Sequence, residues 1–417
     1  MSHVRKKEDS SMSIAQGSRV KASLWLHLIG LVTILLAAGC SDDDPTAQDV
    51  PEIPELAYVG SATCGTSGCH QAVYETFVES GHPYKFTLVQ NGEAPVYPWD
   101  AENGGGIAVA GTPAGTDWDD ILGVIGGFGW KARFVTADGQ VMTGAGVQWN
   151  FETEQWVAYN TGTPTAYQYS CFKCHTTGAT PEGEWKPGVP GSFVFGGIQC
   201  EECHGPGAQH AFDPELFVMP IDRSSEACGD CHTRDAARRI AAKNGFVQHH
   251  EQYDEWLHSP HSGRVACIDC HDPHASVIFD EVALGDGVKV DCTSCHPAAY
   301  AAGQAENSHI AGPDCVDCHM PQTGRSAVSS NNYNGDISSH LLSIRTDAVS
   351  KTEMFTADGS FVVLDEQGQG KVTLDFACYG CHKDPGGVGG SFSIKTLEEL
   401  AAKAAGIHDG TFFTAKR

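Results

Sequence analysis

Seven times along this chain two cysteines, separated by two residues, are followed at once by a histidine. The units are Cys171/Cys174/His175, Cys200/Cys203/His204, Cys228/Cys231/His232, Cys267/Cys270/His271, Cys292/Cys295/His296, Cys315/Cys318/His319 and Cys378/Cys381/His382. An eighth unit, Cys64/Cys69/His70, has four residues between its thiols. Seventeen cysteines in 417 residues ask for a chemical reason, because a chain of this length can build an apolar core without covalent staples. The spacing supplies one. Two thiols a short turn apart can each form a thioether with a haem vinyl group, and the adjoining histidine then aims its imidazole at the iron. Zinc would call for four ligands per ion in closing pairs. A disulfide framework, permitted outside the cytoplasm, gives no reason for a histidine after every second cysteine. At Cys64 and Cys69 a local disulfide competes, but His70 and the tally favour haem: with Cys40 set aside, every thiol has a place in a unit. The sequence therefore predicts eight covalent haem c groups.

The far side of each iron needs a second ligand. Ten histidines remain outside the units and the first forty residues: His82, His210, His249, His250, His258, His261, His274, His309, His340 and His408. Taking His82, His210, His250, His261, His274, His309 and His340 leaves the eighth ligand to be found among His249, His258 and His408. His274 lies three residues after His271, on the near side of that haem, so it can reach only a neighbouring iron. Met142, Met219, Met320 and Met354 could ligate instead and would raise the potential. The supply of histidine favours two imidazoles per iron and low-spin groups of mostly low potential.

The elements that hold these residues must be short. Six units fall between Cys171 and His319, roughly 25 residues apiece, which leaves little room for a protein core. The fold class this predicts is mostly irregular and α-helical with few strands, the chain being wrapped round a haem array. A β-rich insert free of Cys and His is expected over 96–160, where Lys131–Val135 and Gln140–Gly144 flank an Asp138-Gly139 turn. Thr356–Gly359 repeats that turn chemistry. A terminal helix over 396–405 carries Leu397, Leu400, Ala401 and Ala404 on one face, with Thr396 and Glu399 as a capping box and Gly406 as its stop. The segmentation that follows is a signal over 1–39, an acidic tether over 40–56, a first haem segment over 57–95, the insert, a haem-dense core over 161–345, and a β/haem segment with the helix over 346–417.

The first forty residues read as an address. Arg5, Lys6, Lys7, Arg19 and Lys21 precede an apolar run that ends in Leu36-Ala37-Ala38-Gly39-Cys40. Positive charge, an apolar stretch and small residues before a break mark a secretory signal, and the break at Cys40 resembles a bacterial lipoprotein signal, which implies lipidation of Cys40. Ser41 after it implies the outer membrane, on its periplasmic or cell-surface face. The net charge of −26 opposes binding to nucleic acid and suits cationic partners.

Several segments carry a wider resemblance: Ser80–Lys85 (SGHPYK), Gly126–Lys131 (GGFGWK), Cys200–His210 (CEECHGPGAQH), Gly245–His261, Cys267–His274 (CIDCHDPH) and Cys315–Pro321 (CVDCHMP). Through them the chain resembles, over roughly 58–385, the multihaem c-type cytochromes of metal-respiring and nitrogen-cycling bacteria, the octahaem lipoproteins in particular. The resemblance implies distal roles for His82, His210, His261 and His274. It also implies electron transfer by hopping between haems, with other redox proteins, cytochromes or extracellular metal oxides as partners and a membrane reached through the lipid. A homo-oligomer or filament is compatible with it. The competing expectation is an oxidoreductase acting on a small nitrogen or sulfur compound at an open iron. The Cys-x-x-Cys-Lys unit that related nitrite reductases often use is absent, so no catalytic residue is assigned.

Overall fold

The structure, a computed structural model, describes residues 57–66, 68–98, 106–279, 283–297, 313–404 and 406–408. Cys40, the signal, the tether and His309 lie outside the described residues.

The largest regular element is a seven-stranded antiparallel sheet. Its strands are β1 (Phe86–Leu88), β2 (Ile121–Gly126), β3 (Lys131–Thr136), β4 (Gln140–Val141), β5 (Gly144–Asn150), β6 (Gln155–Tyr159) and β7 (Thr165–Ala166). It runs past both ends of 96–160. The β3–β4 hairpin turns at Gly139, whose φ of +79° is open to glycine, and Thr136 Oγ1 donates to Asp138 Oδ1 across the turn at 2.5 Å. Side chains alternate along β3 as the pleat requires. Ala132 and Phe134 enter an apolar cluster with Ile107, Ile121 and Val124, whereas Lys131 and Arg133 share the opposite face. Lys131 pairs with Asn150 of β5, so Asn150 and Gln148 join that polar face.

Two expectations are corrected. Strands are not few: β8 (Thr176–Thr177), β9 (Thr180–Lys186), β10 (Val189–Ser192) and β11 (Phe195–Gly196) follow the large sheet, because the Gly- and Thr-rich segment between two Cys units closes on itself as hairpins. A protein core also exists. Ile240, Phe246, Val247, Leu341, Val362, Val372 and Phe376 form one buried cluster. One segment that builds it, 240–247, lies between the units of His232 and His271, and the other, 341–377, lies between those of His319 and His382, so the longer gaps between units leave room for it. Met354 is buried there, and Met142 packs on the sheet, which gives both methionines a packing role. The terminal helix spans Leu397–Ala404. Its capping box is formed by Thr396 N–H donating to Glu399 Oε2 at 2.9 Å and Glu399 N–H to Thr396 Oγ1 at 3.2 Å. The Thr356–Gly359 turn forms between isolated bridging residues, Phe355 and Val362, and not between strands. Among the described residues no helix is long and apolar enough to cross a membrane.

Candidate haem-binding sites

Each Cys unit is about one helical turn. The histidine N–H donates to the carbonyl of the first cysteine at 2.9 Å in the units of His232, His271, His296 and His382, the i to i−4 closure of an α-helix. That closure brings both thiols and the imidazole to one side of a single turn. The wider unit reaches the same end by another path. His70 N–H donates to Cys64 O at 3.2 Å, and Gly68, at φ +80°, turns the extra residues out of the way.

The unit of His296 is built on a tighter turn. Cys292–Ser294 is a 3-10 turn, started by Asp291, whose Oδ1 accepts from Thr293 N–H at 2.8 Å. Cys295 ends that turn, its N–H donating to Cys292 O at 3.2 Å. The Cys295 side chain is exposed instead of enclosed, as are those of Cys69, Cys203, Cys292, Cys315 and Cys381. Among the described residues, the Asp291-capped turn presents both of its thiols outward. Such a thiol is accessible to a vinyl group, so exposure at Cys295 is compatible with attachment.

The imidazoles of the units face others from distant parts of the chain. Ring centres are 6.3 Å apart in His70–His210, 6.5 Å in His82–His232, 6.2 Å in His175–His250 and 6.3 Å in His204–His274. They are 6.0 Å apart in His261–His296, 6.1 Å in His271–His340 and 5.9 Å in His319–His408. An iron about 2.0 Å from each of two ring nitrogens, with each ring centre roughly 1.1 Å further on, would set those centres roughly 6.2 Å apart. His250 also stands 6.4 Å from His232. His82, however, faces only His232 at such a separation among the described residues, so one-to-one matching gives His250 to His175. Near His382 the rings include Phe392, 6.1 Å away.

Hydrogen bonds settle which nitrogen is free. Nδ1 lies against a carbonyl oxygen in His82 (Pro273, 3.1 Å), His210 (Phe217, 2.8 Å), His271 (Gly287, 3.3 Å), His319 (Leu342, 2.9 Å) and His382 (Ser393, 3.2 Å). A carbonyl only accepts, so Nδ1 carries the proton and Nε2 keeps its lone pair for a metal. Burial holds His82 and His175 down to about 3 and His340 to about 4, neighbouring cations adding to the effect at the first two and His271 and His232 at the third, so the rings stay neutral. His258 differs: Nδ1 meets Gly368 O and Nε2 meets Arg238 O, both at 2.9 Å, so neither nitrogen is left for iron. His249 stands 4.5 Å from His250, too close for an ion between them, and its Nε2 faces Arg234 at 3.3 Å.

Three features test the fit of haem to these residues. The imidazoles meet in twos, and among the described residues no group of three metal-binding side chains converges; a porphyrin would supply the remaining ligands. Exposed apolar side chains gather beside the units: Phe212, Val218 and Ile221 near His204 and His210, and Phe392 and Ile394 near His382. Thiols of different units adjoin. Cys64 shares a hydrogen bond with Cys200, Cys174 with Cys231 and Cys228 with Cys267; Cys292 lies beside Cys315, and Cys295 beside Cys270. The residues fit the group.

Side chains overlooked in the sequence hold these positions. Glu201, inside its Cys unit and 2% exposed, accepts from the N–H groups of Val59, Gly60 and Gly207 at 2.7 to 2.8 Å. It thus ties the His204 turn to the chain entering the first unit and to the loop bearing His210. Glu255 accepts from Ser339 Oγ at 3.0 Å and from His340 N–H at 3.2 Å, fixing the ring opposite His271, and burial raises its carboxyl to about 7. Asp272 Oδ1 sits 3.0 Å from His274 Nδ1. No spacing rule flags Glu201, since Glu202, Asp230, Asp269 and Asp317 also lie between the cysteines of units.

The surroundings of His175 are unlike the others. Its Nδ1 lies 3.2 Å from the Tyr167 hydroxyl. Lys85, Arg133, Lys131 and Arg234 all act on it. Burial drops Lys85 to about 8 and Lys131 well below the usual lysine range. Arg133 donates from Nε to Gln148 Oε1 at 2.7 Å and lies 3.8 Å over the Tyr159 ring, and Lys131 Nζ donates to Ser326 O at 2.5 Å.

A family model described as cytochrome c554 and c-prime matches residues 147–205, which include the units of His175 and His204. The multiheme cytochrome MtrA of Shewanella baltica is 31% identical over 168 residues, covering 36% of this chain and 45% of that protein. The C-type polyheme cytochrome OmcB of Geobacter sulfurreducens is 24% identical over 178 residues, covering 41% and 22%. The chain thus spans less than half the length of these relatives. In fold it is similar to the outer cell wall cytochrome OcwA (TM-score 0.53, 20% identity, 83% of this chain and 86% of that one). It is also similar to the octaheme sulfite reductase MccA of Wolinella succinogenes (TM-score 0.56, 17% identity, 85% and 67%).

Proposed function

We propose that the chain, which is similar to multihaem c-type cytochromes, carries eight haem c groups and transfers electrons between redox partners outside the cytoplasm. The observation that supports this most is the set of seven imidazole pairs whose ring centres lie 5.9 to 6.5 Å apart. Thioether attachment falls to the sixteen cysteines from Cys64 to Cys381, the exposed Cys295 among them. Proximal ligation falls to His70, His175, His204, His232, His271, His296, His319 and His382. Distal ligation falls to His82, His210, His250, His261, His274 and His340, with His408 opposite His319, and by elimination His309 is left to His382. When bound, haem supplies an iron that exchanges one electron between ferric and ferrous states. The chain's own residues do the rest: carbonyls, with the Tyr167 hydroxyl at His175 and the Asp272 carboxylate at His274, orient the rings, paired imidazoles suit both oxidation states, and adjoining thiols keep neighbouring attachment points close. Cys40 is the proposed lipid anchor, and cytochromes or metal oxides are the proposed partners.

Voltammetry of the holoprotein tests the reading. It should give reversible reduction over a broad potential range, with rapid reoxidation by a soluble ferric chelate. Irreversible current that appears only with added sulfite or nitrite would favour the oxidoreductase instead. Replacement of His408 by Ala should create one high-spin, ligand-binding iron, and His258→Ala should create none.

A further inference from the structure

A repeated device joins the Cys units to one another. Ser61 and Ser225 each stand three residues ahead of the first cysteine of a unit, and both are 3% exposed. Ser61 Oγ accepts from Cys200 N–H at 2.9 Å, and Ser225 Oγ accepts from Cys267 N–H at 3.1 Å. In both places the first thiols of the joined units adjoin, Cys64 with Cys200 and Cys228 with Cys267. Further joins complete the set. Cys174 adjoins Cys231, and its Sγ lies 3.7 Å from Asp230 O. Cys270 adjoins Cys295, Cys292 adjoins Cys315, and Cys318 adjoins Cys381. The His204 unit reaches the same place as Cys174 and Cys231. Glu202 Oε2 accepts from Gly178 N–H at 2.9 Å, three residues past His175, and the carboxylate acts on both of those thiols. Cys203 acts on Cys228.

We infer that the eight attachment points are ordered as a fork, with the His232 position as its node. One arm is His175 alone. A second runs through His204 to His70, and the third runs through His271, His296 and His319 to His382. The inference rests on the reading that each unit carries a haem. A thioether bonds a cysteine to the rim of its haem, so adjoining thiols set two rims side by side. From His271 to His319 each unit spends one thiol on the unit before it and the other on the unit after it, as a line requires. The His232 unit does more: Cys231 meets Cys174, while Cys228 meets both Cys267 and Cys203. The rings agree. His250 faces His175 at 6.2 Å and stands 6.4 Å from His232. His82, opposite His232, has its Nδ1 3.1 Å from the carbonyl oxygen of Pro273, next to the ring that faces His204. The consequence is three ends in place of two. An electron entering at one end crosses the His232 position to reach either of the others, so one chain serves three redox contacts.

The test removes one haem at a time from the full-length holoprotein, verifies the load by intact mass, and counts the remaining midpoint potentials that move in spectropotentiometric titration. Removing a haem removes its charge, which the adjoining haems feel most. Cys228→Ala/Cys231→Ala should move three midpoints, Cys292→Ala/Cys295→Ala two, and Cys171→Ala/Cys174→Ala one. Should the first variant not mature, Glu202→Gln keeps an oxygen for Gly178 N–H and should raise three midpoints together. Asp317→Asn, whose carboxylate acts on Cys318 and Cys381, should raise two. A wild type without eight covalent haems would overturn the reading beneath the inference. Eight haems with the same number of midpoints moving in every variant, or with the largest number moving in the Cys292→Ala/Cys295→Ala variant, would leave that reading standing and overturn the fork.

Discussion

The His175 and His204 positions are built from the same unit and face the same kind of partner, yet their surroundings are opposite in sign. At His204 the facing ring, His274, has a carboxylate oxygen of Asp272 3.0 Å from its Nδ1, and the two rings are 5° from parallel. At His175 a phenol hydroxyl takes the Nδ1 contact, four cations act on the ring, and the facing ring is tilted by 57°. A carboxylate behind a ligand makes it more basic and favours ferric iron; nearby cations favour ferrous iron. A unit charge roughly 10 Å from a redox centre, at an effective dielectric of about 20, is worth roughly 1.7 kcal/mol, or on the order of 70 mV for one electron. A facing pair of imidazoles is thus common to both positions, and the difference between them is written by residues outside the units.

That contrast can be broken outright at one position. Cys171→Ala/Cys174→Ala should yield a protein lighter by one haem in intact mass, with the His204 position still loaded. Breaking the other position through its frame, Glu201→Ala should leave three backbone N–H groups without their acceptor and cost about 3 kcal/mol or more of stability, read as a lower Tm of the holoprotein. The contrast is sharpened by smaller changes. Asp272→Asn should raise the potential of one haem by tens of millivolts, and Arg133→Gln should lower that of a different one, on the order of 70 mV or less each, in spectropotentiometric titration. Smallest of all, Gly139→Ala, at φ +79° with Lys186 3.1 Å from the new Cβ, should cost about 1 kcal/mol in chemical denaturation and leave every haem potential unmoved.

The units, the β3–β4 hairpin and the capped terminal helix were legible because each is set by residues within a few positions of one another. The histidine census narrowed the candidates for the facing ligands, but it had no means of ranking His249, His258 and His408. Only three-dimensional hydrogen bonding distinguishes them: His258 is turned between two carbonyls, and His408 faces His319 from the far end of the chain. Nor could spacing say how sheltered a thiol is, since Cys295 and Cys270 occupy the same place in their units and differ in exposure. The core round Phe246, Leu341 and Phe376 escaped notice because its strands and turns come from segments about a hundred residues apart. The cationic surroundings of His175 escaped for a related reason. Lys131 and Arg133 read as ordinary strand residues until the sheet's register and the Lys85 loop bring them to one place.

Electron paramagnetic resonance of the ferric holoprotein tests the central claim, that paired imidazoles hold the irons, most directly. The account predicts low-spin signals alone. Near-parallel pairs such as His204–His274 should give rhombic spectra, and the perpendicular His82–His232 pair, at 90°, a highly anisotropic one. A substantial high-spin signal that shifts on adding cyanide would contradict the account, because an iron would then lack its second imidazole.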